Sequence, residues 1–254
     1  MKHILFPSAI LLALFLFSSC QKELPTQLDY SDYAFASLDE DGGTWTPILL
    51  SASDQIAVPV PEDPGSAAYQ EELSALKAAA SDLSTEQMEA IDYWTNNPAL
   101  RWNEIALELV AKYNLIPGPN PDGSYTLPNP ADPGATPNFP FSHPPYAVRA
   151  LAYLSVAQFD GLITAWHYKY LYNRPAPSLT DSSIPAAWTE NDLPSYPADG
   201  AVIAAASRAI LTAMFPLEKD YLEAREEEQL ASLQWAGAHV ESDIEAGVLI
   251  GEET

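Results

Sequence analysis

Residues 145–172 read PYAVRALAYLSVAQFDGLITAWHYKYLY, a stretch with no proline after its first position and apolar residues nearly all round a helical wheel. A helix that is hydrophobic on every side is one its neighbours must cover, so this segment is expected to be the central helix of a bundle. Its flanks cannot continue it. Upstream, residues 115–145 hold ten prolines. They exclude helix interior, and Asn120-Pro121-Asp122-Gly123 is a strong turn signal. Tyr125, Phe139 and Phe141 could pack that loop down on the body. Downstream, a second Pro-rich loop covers 175–198.

Further out the pattern is helical again. Residues 66–81 are alanine-rich, with Leu73 and Leu76 three apart. Ser84 and Gln87 have the spacing of a capping box, opening a second helix that Asn96-Asn97-Pro98 stops. A third, from Pro98 to Tyr113, puts Trp102, Ile105, Leu109 and Val110 on one face. Beyond the second loop come a helix over 200–215, rich in small residues and ended by Pro216, and a last helix from Glu218 to Gly247. About six helices with almost no strand signal predict an all-α bundle with long Pro-rich loops, occupying 66–254. Residues 21–65 read as a spacer and irregular lead-in, with one short strand expected at Thr46–Leu50.

The chain has 254 residues, and its 47% hydrophobic content suffices for a sizeable core. Its charge is lopsided: 35 acids against 11 bases give −24. So few bases form no phosphate-backbone footprint, which excludes a general nucleic-acid binder and a polybasic membrane binder. Residues 1–20, MKHILFPSAILLALFLFSSC, combine a positive start, a short apolar run and small residues, the layout of a secretory signal. The ending Ser18-Ser19-Cys20 resembles the lipobox of bacterial lipoproteins, in which the cysteine is acylated. Residues 1–20 are therefore expected to be a signal peptide, and the chain an exported protein of the bacterial cell envelope. Cys20 would carry a lipid anchor as its only membrane attachment. No cysteine follows position 20, so no intramolecular disulfide is expected.

Three segments place unusual polar residues beside helix ends. In Trp166-His167-Tyr168-Lys169-Tyr170-Leu171-Tyr172-Asn173-Arg174-Pro175, two scarce bases close an apolar helix. Favourable interaction with the helix dipole is the simplest reason for one of them, less so for both among aromatic residues. Leu193-Pro194-Ser195-Tyr196-Pro197-Ala198-Asp199-Gly200 opens a helix whose free N–H groups could seat an anion, while Asp199 could equally be an N-cap. In the third segment His239 and Asp243 are four apart, so on a helix they share a face. A carboxylate there can fix the tautomer of a nucleophilic or basic imidazole. His143, His167 and His239 have no partners at metal-ligand spacing, so no bound metal cation is expected. Glu226-Glu227-Glu228 reads as a solvated helix face.

In this order the three segments resemble the type 2 phosphatidic acid phosphatase / vanadium-dependent haloperoxidase superfamily, in its exported bacterial branch, over residues 85–250. The family pattern is Lys, six residues, Arg-Pro; then Pro-Ser-Gly-His; then Ser-Arg, five residues, His, three residues, Asp. Arg174-Pro175, Pro197 and the pair His239 and Asp243 match it. The resemblance implies a helical bundle with an oxyanion pocket, Lys169 and Arg174 holding phosphate or vanadate near Asp199 and Gly200. It implies that His239 attacks phosphorus or bonds vanadium while Asp243 orients it. A small phosphate ester would be the substrate, with no cofactor for phosphatase chemistry and vanadate for peroxidase chemistry.

The chain also departs from the pattern. Lys169 lies five positions before Arg174 rather than seven, and His167 occupies the seven-step position. The restriction that Pro175 places on its neighbour favours Lys169. Ala198 and Gly200 stand where the family has serine and the general-acid histidine, and Leu233 stands where it has arginine. Ser207-Arg208 has another spacing and reads as surface. Three functions remain open: a phosphate-monoester hydrolase or vanadate enzyme, a degenerate relative that binds an anion or partner, and a structural lipoprotein. The lipobox reading predicts that Cys20→Ser abolishes incorporation of labelled palmitate and moves the protein from the membrane to the soluble fraction.

Overall fold

The computed structural model describes residues 39–95, 97–113, 120–124, 144–187 and 193–254. They form eight α-helices, one of them a single turn, two short 3-10 turns and no strand. Cys20, the signal sequence and the loop aromatics Tyr125, Phe139 and Phe141 lie outside the described residues.

Local chemistry explains the helix boundaries. Helix α1 (Ala67–Ala79) is capped by Ser66, whose side chain accepts from the Tyr69 N–H. Helix α2 (Thr85–Thr95) opens on the expected capping box. The Gln87 N–H donates to Ser84 Oγ at 3.2 Å, and the Ser84 N–H donates to Gln87 Oε1 at 2.9 Å. Helix α3 (Pro98–Lys112) starts at a proline behind Asn97, which adopts φ 60° and caps the Leu100 N–H. Helix α4 (Pro144–Tyr172) is the long helix, and α5 (Pro177–Thr180) is a single turn in the second Pro-rich loop. Helix α6 spans Asp199–Met214.

The expected last helix is two. Helix α7 (Lys219–Trp235) ends at Gly237, which adopts φ +70° and presses so closely on the Pro185 carbonyl that a Cβ would lie 2.4 Å from it. A glycine in the left-handed region just past a helix end is a stop signal. Helix α8 (Glu241–Glu253) then starts afresh. The strand expected at Thr46–Leu50 is also absent. The N–H groups of Ile48, Leu49 and Leu50, which would have needed a neighbouring strand, donate instead to the buried Asp160 carboxylate of α4 at 2.7, 2.7 and 3.1 Å. A 3-10 turn at Gly42–Thr44 packs on α4 beside them, close against His167.

The centre of the bundle is α6 rather than α4. Gly200 to Ser207 are all buried, whereas Val148 and Tyr153 of α4 are 65% and 46% exposed. Small side chains let α6 take neighbours on several sides at short range. A Cβ on Gly247 of α8 would stand 2.3 Å from the Ala198 carbonyl oxygen, and one on Gly251 would stand 2.6 Å from that of Val202. Backbone cannot yield there as a flexible side chain would. Gly247→Ala is therefore expected to destabilise the fold by about 1–3 kcal/mol or more, read as a lower midpoint in urea denaturation.

Candidate functional site

Helix α4 is closed by Asn173, the residue after its last, which adopts φ 50° while its N–H still donates to the Lys169 carbonyl. This turn sends Lys169 and Arg174 into the interior on either side of the 193–198 loop. Lys169 is fully buried; its Nζ donates to the Pro194 carbonyl at 2.8 Å and lies 3.0 Å from Asp199 Oδ1. His167 goes elsewhere, half-buried with Nδ1 3.5 Å from Ser53 Oγ. Of the two candidates for the lysine position, Lys169 is the one that reaches the site.

Arg174 is buried between two tyrosine rings, its guanidinium carbon 4.9 Å from the Tyr69 centroid and 4.7 Å from that of Tyr196. Burial pushes both phenols up to about 12, so the rings are neutral partners for the cation. Nη2 of Arg174 bonds Asp243 Oδ1 and donates to Ser242 Oγ at 3.0 Å. Ser242 is itself held by Glu72 of α1, which accepts from its N–H at 2.8 Å and its hydroxyl at 2.9 Å. Nε and Nη1 of Arg174 find no hydrogen-bond acceptor among the described residues.

His239 and Asp243 are not on one helix face as expected. His239 lies in the break before α8, and Asp243 is in its first turn, reaching back to accept from the Val240 N–H at 3.0 Å. Nδ1 of His239 is 3.8 Å from Asp243 Oδ2 but 3.1 Å from the Ser195 carbonyl. The atom at hydrogen-bond distance from Nδ1 is thus a backbone oxygen, with the Asp243 carboxylate further off. A carbonyl can only accept, so Nδ1 carries a hydrogen.

Asp199 is not an N-cap. It is the first residue of α6, and the cap position, Ala198, offers no side chain to the helix N–H groups. Burial pushes the Asp199 carboxyl up, yet the Lys169 ammonium, and after it the His239 ring, hold it below its ordinary 3.8. Asp243 behaves alike: burial raises it, while the His239 imidazole and the Arg174 guanidinium more than offset this.

A cavity of about 230 Å³ adjoins these residues, walled by Trp94, Leu162, Trp166, Ile203 and Leu233 and faced by Asp199, Gly200 and His239. Two of the motif departures, Gly200 and Leu233, are on its wall and touch: a Cβ on Gly200 would lie 3.1 Å from Leu233 Cδ2. Neither Lys169 nor Arg174 lines it. The four expected ionisable residues and His239 therefore gather in one region, but the cations point into the protein and a carboxylate faces the cavity. Arg208 stays apart, paired with Glu226 at 2.9 Å and Glu252 at 2.6 Å. That pair and the Arg225–Glu228 pair at 2.6 Å leave only Glu227 of the acidic run plainly exposed.

Sequence reasoning missed Tyr69, Glu72, Ser195 and Tyr196. Ser195 and Tyr196 lie inside the Leu193–Gly200 segment, whereas nothing local marks Tyr69 or Glu72, which come to the site from α1.

No protein-family model and no curated protein matches the chain. Among solved structures, it resembles the first bacterial vanadium-dependent iodoperoxidase, at 20% identity and TM-score 0.64, over 86% of this chain and 56% of that one. It also resembles a bacterial vanadium-dependent chloroperoxidase in its apo form, at 12% identity and TM-score 0.63, over 84% of this chain and 53% of that one. The chain thus has the haloperoxidase fold and spans little more than half the length of these structures.

Removing one partner of a buried ion pair strands the other charge. Asp243→Asn is expected to cost about 3–5 kcal/mol in chemical denaturation. Because both carboxyls are depressed in the folded state, their contribution is complete above the ordinary carboxylate range. It is lost as pH falls through the folded values. A thermal-denaturation series should show the midpoint dropping below about pH 4, with a shallower drop in Asp243→Asn.

Proposed function

We propose that this chain is an exported, lipid-anchored protein with the haloperoxidase fold that has given up anion turnover and acts by binding. One observation carries the reading: the chain's own carboxylates neutralise both bases on which oxyanion chemistry would rely. Lys169 is paired with Asp199 and Arg174 with Asp243. Each of the two cations is thereby matched by a carboxylate at ion-pair distance.

An oxyanion acquires stabilisation from preorganised donors and cations aimed at it. The unmatched Nε and Nη1 of Arg174 favour an anion, but they are buried away from the cavity. What an incoming anion would meet there is the Asp199 carboxylate and the Leu233 side chain. Vanadate and phosphate do not fit these residues, and no step through either follows. Gly200 supplies no proton donor, so a leaving oxygen would depart unprotonated, forgoing roughly 10²–10⁴-fold in rate.

The departures also offset one another, as expected of a site that has settled into another use. A buried ammonium with no counter-charge would be costly, and Asp199 provides one from within the chain. Leu233 fills the space over Gly200.

Hydrolysis of p-nitrophenyl phosphate and vanadate-supported iodide oxidation by the full chain in detergent test the reading. Neither activity should exceed that of His239→Ala. Turnover that disappears in His239→Ala would overturn it. A gain of function gives a second test. Asp199→Ala should free Lys169, so that millimolar inorganic phosphate raises the melting temperature of this variant and leaves the parent unchanged.

A further inference from the structure

The binding reading leaves the ligand's chemistry undefined, and the cavity beside α6 narrows it. Its walls are apolar and aromatic, from Trp94, Leu162, Trp166, Ile203 and Leu233. At about 230 Å³ it lies below the roughly 300 Å³ at which pockets for drug-sized ligands begin. A small molecule with an apolar body fills such a space.

Several polar groups on its lining already have partners within the protein. Gln229, which also lines the cavity, is used at both ends. Its amide donates to the Gly200 carbonyl at 2.7 Å and its oxygen accepts from Trp102 Nε1 at 2.6 Å. The Trp94 Nε1–H donates to Glu228 at 3.3 Å, and the Thr95 hydroxyl donates to the Ile91 carbonyl at 2.7 Å. Of the two ionisable side chains facing the cavity, Asp199 can only accept. It keeps 14% of its side chain exposed and is ionised against Lys169. His239 is 4% exposed and turns Nδ1 to the Ser195 carbonyl.

We propose that this cavity binds a small protonated amine with an apolar body, its ammonium on the Asp199 carboxylate and its body against Trp94 and Trp166. The proposal rests on the binding role inferred above. A purely apolar ligand would strip water from the carboxylate and return no hydrogen bond, a desolvation cost of about 1–3 kcal/mol or more. An anion would meet the carboxylate directly. An ammonium brings donors to it, and the aromatic walls favour a cation. The chain's net charge of −24 draws cations toward the molecule and repels anions at long range.

Three isosteric probes separate the possibilities: phenethylamine, 2-phenylethanol and phenylacetate, each followed by ligand-observed NMR saturation transfer and thermal shift on the full chain. Phenethylamine should bind, with the alcohol at least tenfold weaker and phenylacetate silent. Asp199→Asn should weaken the amine at least tenfold. Because that change also disturbs Lys169, Leu233→Phe serves as a second variant. It narrows the cavity, leaves the ion pair in place, and should weaken the amine to a similar degree. Equal binding of amine and alcohol, or binding of none of the three, would overturn the ligand class and leave the loss of turnover standing. Binding of phenylacetate or inorganic phosphate in competition with the amine would overturn the ligand class and the anion-excluding site together. Amine binding unaffected by both variants would place it elsewhere on the molecule and overturn the proposal.

Discussion

The buried pair between Arg174 and Asp243 is the constraint on which the rest of the site depends. It joins the turn after α4 to the first turn of α8, two elements that no local interaction would bring together. A charge in so dry a place persists only with a partner and with its remaining hydrogen-bonding capacity largely met. Here the partners extend outward: Asp243 also accepts from the Val240 N–H, and Ser242 beside it links Arg174 to Glu72 of α1. The tyrosines above and below the guanidinium bring in the 193–198 loop and α1 again. Once this knot is tied, the Ser195 carbonyl sits where it holds the ring of His239.

The second pair, Lys169 with Asp199, sets the charge of the site from within the chain. The fold resembles that of the haloperoxidases, and the lysine enters the interior from the last turn of α4. A carboxylate at the start of α6 occupies the electrostatic role that an external anion would otherwise fill. The cavity thereby presents a carboxylate rather than a cation, and its wall at Gly200 is filled by Leu233.

Much of the scaffold was legible in the sequence because it rests on local rules. The Ser84–Gln87 capping box, the start at Pro98 and the long helix ending at Tyr172 all follow from neighbours within a few residues, and all are found. Errors arose where a distant group overrode the local signal. The Thr46–Leu50 segment looked like a strand, but its N–H groups are satisfied by Asp160, over a hundred positions away. Gly237 was a visible stop signal, yet the helical spacing of His239 and Asp243 concealed the break there. The long helix was expected at the centre on hydrophobicity, whereas small residues in α6 allow the closest packing and so place that helix there.

By itself the sequence determined the helical class, most helix boundaries, the polar residues that meet, and the preference for Lys169 over His167, because periodicity, caps and proline act over short range. Tertiary structure alone decided what those residues do to one another. A sequence shows two scarce bases and two acids far apart in the chain. Only the fold places them at ion-pair distance inside the protein, with a carboxylate rather than a cation facing the cavity. The reason is that Coulomb interactions depend on separation and burial in space, and neither quantity is written in the order of residues.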